Sequence, residues 1–389
     1  MQFVVKTTTA CNFHCVYCSE GDKPAQNLPL ELFCRFIDEL PEFLARRQEK
    51  NVDILWHGGE PLLWGRERLE KAMAYAERKL AENYALTFSM QSNGYLLDED
   101  ALALLERHRV NVGVSLDGYR ELQNANRPTR DGQPTFDRVW QNIMELRRRQ
   151  LGGSILMVLN IERDIDTDQL FAFIRDNHLC CKINVLIPCG RAANCPCIQG
   201  IRRHYVRLLQ ELYERAVREE DDIIIEPLDK LMDAIILGNG VGECTYNGCC
   251  GSDIVCLYSD GALGFCGRDT ENQLFSYGSL AEHALEELYT NARAQKVRSR
   301  DAYLQQHDCR GCSIWPLCHG GCTFEALQAS GDIMAKAPGC EERRELIGYL
   351  RTTGLELFRQ RLLRKKRQYR AIIAEKKKLL EEVNQLAGK

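Results

Sequence analysis

Six apolar runs of strand length, FVVKTTT, VDILWH, ALTFSMQ, NVGVSL, SILMVLN and CKINVLI, are each followed by a longer segment whose apolar residues recur at three- and four-residue spacing. That periodicity predicts helices over 30–47, 66–83, 98–108, 135–150, 167–177 and 202–219. Six strand–helix units imply an α/β unit over 1–230, a parallel sheet covered by helices. On periodicity alone, a doubly wound sheet and a partial barrel fit equally well. The alternation then stops. A cysteine-rich stretch occupies 231–345, and from 346 to 389 the chain reads as one long amphipathic helix. Its seam is Leu355, Phe358, Leu362, Tyr369, Ile372, Leu379, Val383 and Leu386, interrupted by Lys365 and Lys376.

The chain has 389 residues, enough for two or three domains with real cores, and its 44% hydrophobic and 27% charged content is ordinary for a globular protein. No run reaches the roughly 18 apolar residues of a membrane span, and the N-terminus lacks a signal peptide's layout. The expected location is the cytoplasm. There, nineteen cysteines, an odd number, read as metal ligands or reactive thiols and not as a disulfide framework. The net charge of −4 is uneven: Arg351–Lys389 carries twelve basic and four acidic residues, so the tail is near +8 and the body near −12. Such a tail can lie along the acidic body, dimerise or dock a partner. The absence of interleaved aromatics and the acidic whole argue against nucleic acid.

Three of the cysteines, Cys11, Cys15 and Cys18, are spaced CxxxCxxC directly after the first strand, and no further cysteine occurs before Cys34. Three thiolates hold three irons of a [4Fe-4S] cluster and leave the fourth iron open to a substrate, although a zinc or structural site uses the same residues. With Tyr17 before the last cysteine, the loop resembles the signature of the radical S-adenosylmethionine (SAM) enzymes. The resemblance implies a partial (β/α)6 TIM-like barrel with its chemistry at the C-terminal strand ends, SAM on the open iron, and cleavage of SAM to a 5′-deoxyadenosyl radical. It also implies a set of SAM contacts. Gly58, Gly59 and Glu60 of HGGEP would take the amino group, while Ser115 and Arg127 would take the carboxylate, as in anaerobic sulfatase-maturating enzymes and peptide-modifying relatives.

A second cysteine group spans CTYNGCCGSDIVCLYSDGALGFC at 244–266, and CRGCSIWPLCHGGC follows at 309–322, with Cys340 beyond it. CxxC pairs also suit zinc ribbons, and a zinc-bound interaction scaffold is the non-enzymatic alternative. The whole arrangement resembles the SPASM extension of radical SAM enzymes, which carries two auxiliary [4Fe-4S] clusters. By that resemblance Cys244, Cys250, Cys266 and Cys322 would hold one cluster, and Cys309, Cys312, Cys318 and Cys340 the other. Cys249 and Cys256 are surplus, and Cys249 could replace Cys250. A third group, Cys180, Cys181, Cys189, Cys195 and Cys197, is read as lying after the sixth strand at the expected active-site mouth, where free or buried thiols are the default and a substrate-handling thiol or another metal the alternative. Cys34, on an apolar helical face, reads as packing.

The expected function is therefore a radical SAM oxidoreductase that matures a peptide or protein. Oxidation or crosslinking of a ribosomally made peptide is the first expectation, and conversion of a sulfatase Cys or Ser to formylglycine the alternative. Sulfatase-maturating relatives place an Asp directly after the cysteine of DGxxxxC, whereas here Gly267 stands there and Asp269 lies two residues on. The catalytic base is thus unassigned, with Asp269 a weak candidate. Expected partners are the peptide or protein substrate, an electron donor such as flavodoxin or ferredoxin, and a separate leader-peptide-binding protein, since the first strand starts at the N-terminus.

Overall fold

The first seven strands lie side by side in chain order, all parallel. They are β1 (Gln2–Lys6), β2 (Asn51–His57), β3 (Ala85–Ser92), β4 (Asn111–Ser115), β5 (Gly152–Leu159), β6 (Cys180–Val185) and β7 (Ile224–Glu226). A doubly wound sheet reverses its strand order at a switch point, and no reversal occurs here. The sequential order is that of a partial barrel, left open between its first and last strands. The computed structural model describes residues 1–387 apart from 161–164, 196–197, 220–222 and 270–272.

The crossovers are helical: α1 (Leu30–Arg46), α2 (Arg66–Leu80), α3 (Glu99–Arg107), the pair α4 (Arg120–Asn126) and α5 (Phe136–Arg148), α6 (Thr167–Asp176), α7 (Ile198–Arg218) and α8 (Leu228–Leu237). Strand alternation sorts the side chains. In β2, Val52, Ile54 and Trp56 are buried under the helices, where Trp56 meets Phe33 at 5.2 Å, while Leu55 and His57 point into the barrel and line its cavity. Phe3 of β1 meets Phe36 and Phe43 of α1 edge-on at 5.4 and 6.2 Å. Full burial of each such ring is worth roughly 2–3 kcal/mol, so one face of every strand closes the core and the other is left for function.

The cysteine-rich stretch continues the same sheet. Strand β8 (Ile254–Leu257) pairs in parallel with β1 along Gln2↔Ile254 to Val5↔Leu257, and β9 (Ala262–Gly264) and β10 (Gly278–Ser279) add antiparallel strands beyond it. Helices α9 (Leu285–Thr290), α10 (Ala292–Gln306), α11 (Trp315–Cys318), α12 (Thr323–Ser330) and α13 (Cys340–Tyr349) complete this part. The Arg47 guanidinium ties α1 to α9, donating to both Glu286 carboxylate oxygens at 2.7 and 3.0 Å and lying over the Phe43 and Tyr289 rings.

Through one π-helical turn, α13 runs into α14 (Leu355–Ala387). Its start rests on α7, where Tyr213 Oη donates to the Gly354 carbonyl at 3.1 Å and Arg364 to the Val217 carbonyl at 2.8 Å. Leu355 and Phe358 of the seam pack against the body, but past that contact the seam residue Ile372 and its neighbour Ile373 are about half exposed. Ending the chain after Lys366 should therefore leave urea stability within about 0.5 kcal/mol of the full chain; a larger loss by circular dichroism would show that the distal helix is held by the body.

Candidate active site

The loop from β1 to α1 carries Cys11, Cys15 and Cys18, and two backbone approaches fix it. On one side, Gly59 N donates to the Thr8 carbonyl and Glu60 N to the Ala10 carbonyl, both at 2.8 Å. A Cβ at Gly58 would stand 2.4 Å from Thr8 O, where φ is +145°, and one at Gly59 would stand 2.3 Å from Ala10 O. Only glycine permits this approach. On the other side, a Cβ at Gly190 would meet Cys18 O at 2.1 Å; Arg191 N donates to that same oxygen at 3.0 Å and the Arg191 guanidinium to Cys15 O at 2.8 Å.

Between these supports lies a cavity of about 310 Å³ at the C-terminal ends of the strands. Cys11, Cys15, Cys18, Tyr17, Gly58, Gly59, Ser115 and Arg127 all line it. Ser115 accepts from Gln91 Nε2 at 3.0 Å. Arg127 is ion-paired with Asp117 at 3.0 Å and lies 5.3 Å from the Tyr17 ring centroid. Asp117 also accepts from Val158 N at 3.0 Å and from the Tyr17 hydroxyl. Asp117 thus holds two of the predicted cofactor contacts, and the sequence offered it only as one acidic residue after strand four.

The structure does not bring the Glu60 carboxylate to this cavity. Glu60 is fully buried, with its two oxygens accepting from Leu62 N at 3.2 Å, Asn93 N at 2.8 Å and the Ser92 hydroxyl at 3.0 and 3.1 Å. Burial pushes its carboxyl up to about 7, against those donors. Its work is to hold the β3 end, from which Asn93 donates to Asn12 Oδ1 at 2.7 Å beside Cys11. Asp269 is likewise absent from the cavity lining: it is 1% exposed and accepts from the backbone N–H groups of Leu274 and Phe275 at 3.0 and 2.9 Å, which makes it a turn anchor.

Sequence reading missed a charged cluster on the same wall. Lys6 Nζ donates to Glu20 at 2.6 Å and stands 3.3 Å from His57 Nδ1, and all three residues line the cavity with Arg268. Burial and the Lys6 charge hold His57 down to about 3, so it is neutral in the working pH range. Lys6 ends a strand and Glu20 follows Cys18 by two residues, so only their placement at one strand end would have signalled them.

Eight of the ten downstream thiols sort into two groups. Cys250, Cys266, Cys322 and Cys244 are charge neighbours of one another, whereas Cys249 turns away with its Sγ 3.3 Å from Asn247 O. Cys309, Cys312, Cys318 and Cys340 line a second small pocket together. Among the described residues no three ligating side chains are arranged to chelate a single ion, and the eighteen described cysteines are all free. A cubane spreads its thiolates further apart than one tetrahedral ion does, so these looser gatherings fit a cluster in donor type and number. Cys256 is fully buried in β8, Cys181 is buried in β6, and Cys180 is exposed. Of the third group Cys189 alone lines the main cavity, Cys195 lines a smaller one beside Tyr17, and Cys197 lies outside the described residues.

A sheet wound in chain order, a three-thiol loop across its strand ends and a glycine-lined cavity beside that loop define the class, and the radical SAM superfamily profile matches residues 5–174. The chain carries a radical SAM domain and is an enzyme of radical chemistry. It is related to the anaerobic sulfatase-maturating enzymes: 26% identical over 323 residues to the cysteine-type enzyme of Clostridium novyi, covering 80% of this chain and 84% of that one. Against the serine-type enzyme of Klebsiella pneumoniae it is 25% identical over 340 residues, covering 83% and 81%. In fold it matches anSMEcpe with bound AdoMet at a TM-score of 0.77 and 20% identity, over 92% of this chain and 98% of that one. It matches Streptococcus suis SuiB bound to its precursor peptide SuiA at 0.59 and 15%, over 87% and 75%.

Burial pushes the Cys11 thiol up to about 12 and Cys15 to about 11, so both are protonated at neutral pH and must lose their protons to bind iron. Reconstitution of the metal-free chain should thus load the loop more fully at pH 8.5 than at 6.5, read as bound iron. Gly59→Ala should lower iron bound at that loop severalfold by pushing Ala10 away, while leaving the barrel folded by circular dichroism.

Proposed function

We propose that this enzyme is a maturase that oxidises one side chain of a peptide or protein. The observation that carries the reading is the junction of two cavities: the one over Cys11, Cys15 and Cys18 shares Asn184, Val185, Ile187 and Arg268 with a second, which reaches Cys322. A side chain in the first cavity would lie between the three-thiol loop and the nearer four-thiol group. In this reading the loop cysteines hold a SAM-binding [4Fe-4S] cluster, the downstream groups form a SPASM extension with two auxiliary clusters, and bound SAM supplies the hydrogen-abstracting radical. Gly58 and Gly59 give SAM backbone access, while Ser115 and Arg127 orient its carboxylate.

The named activities of the relatives, matched over four-fifths of this chain, support conversion of a sulfatase Cys or Ser to formylglycine. A second reading, a crosslink or other oxidation in a ribosomally made peptide, is supported by Gly267. A Cβ there would stand 3.0 Å from Val4 Cγ1 and 3.5 Å from Lys6 Cε, so a carboxylate at this position would reach the wall that Glu20 already serves. An electron donor such as flavodoxin or ferredoxin and a cytoplasmic location belong to either reading, and a separate leader-peptide-binding protein to the second.

Anaerobically purified protein should hold about twelve irons, as three cubanes require. With SAM and reductant, mass spectrometry of sulfatase-derived and precursor peptides should show a product two hydrogens lighter, or the aldehyde. Replacing Cys309 and Cys312 with Ser should lower iron to about eight and abolish the two-electron product. Zinc without sulfide in the wild type would defeat the reading.

A further inference from the structure

Arg268 is the one charged residue that lines both cavities. It sits two residues after Cys266 in a turn whose backbone N–H donates to Cys266 Sγ at 3.4 Å. Among the described residues its guanidinium has no hydrogen bond or ion pair, and the nearby Glu243 carboxylate is taken by Lys182 at 2.6 Å. Its acidic neighbours are the thiols of Cys322, Cys244 and Cys266 and the Glu243 carboxylate. The guanidinium stands half-buried where the two cavities meet, Cys322 lines one of them with it, and its place suits an anion on the thiol side.

We propose that Arg268 is the counter-cation of an iron–sulfur group held by Cys244, Cys250, Cys266 and Cys322, and that it raises the reduction potential of that group. This rests on the auxiliary-cluster reading above. One-electron reduction adds one negative charge to a thiolate-held cluster, and a fixed cation beside it stabilises the reduced form more than the oxidised form. The cation stands on the reaction-cavity side, so it acts on the thiol group nearest that cavity. Cys309, Cys312, Cys318 and Cys340 have other cations beside them: Arg343 lines their pocket and Arg344 stands 3.9 Å from Cys312 Sγ. Arg268 acts through the cluster and is therefore a positioning residue.

The test is an anaerobic redox titration followed by electron paramagnetic resonance on the full chain, without substrate, comparing wild type with R268Q, R268M and R268K. In either neutral variant that keeps wild-type iron, one cluster should titrate at a more negative potential while the other two hold, and R268K should restore the wild-type value. Three unchanged potentials in a neutral variant with full iron would overturn the proposal. Iron content separates the two failures: a wild type holding only about four irons removes the auxiliary clusters themselves and the proposal with them.

Discussion

Everything at this site depends on how closely backbone can approach backbone around the cysteine loop. Three glycines, Gly58 and Gly59 on one side and Gly190 on the other, let carbonyls of the loop come nearer than any Cβ would allow. Side-chain packing tolerates small repacking, but a carbonyl 2.1–2.4 Å from where a Cβ would stand does not. The loop is therefore held as part of the strand ends. That rigidity keeps three thiols at one cavity wall although each is buried enough to prefer its proton.

The charged residues around the cavity divide by sign and function. Arg127 is committed to Asp117, and through it to Tyr17, which fixes its plane before any carboxylate arrives. Lys6 is committed to Glu20, leaving the only carboxylate among the described cavity-lining residues beside an ammonium. Arg268 has no such commitment. A buried site that satisfies two of its three strong cations internally and leaves the third open has its electrostatic vacancy on the side of the downstream thiols.

Much of this was legible in the chain because it depends on spacing. The six strand–helix units and the three-cysteine loop are local patterns, whereas the grouping of the later thiols into fours came from the resemblance, and in the fold Cys244, Cys250, Cys266 and Cys322 are charge neighbours. Glu60 and Asp269 were harder because acidic residues in turns serve backbone N–H groups as readily as ligands, and only burial tells the two apart. Asp117, Lys6, Glu20, Arg191 and Arg268 were not assigned, since each acquires meaning from a partner far along the chain. Strand order likewise came from pairing, which periodicity does not encode.

The parallel ladder between β1 and β8 has a mechanical consequence. The strand that launches the first cysteine loop and the strand that leads toward Cys266 are neighbours in one sheet, about 4.8 Å apart. The separation between the three-cysteine loop and the turn that carries Cys266 is thus set by a hydrogen-bonded ladder and not by a hinge. Swinging the two halves apart to admit a bulky polypeptide would tear that ladder. A polypeptide client of the proposed maturase would instead thread a single extended segment or loop tip between the strand-end loops, and selection would act on its flexibility at the modified residue.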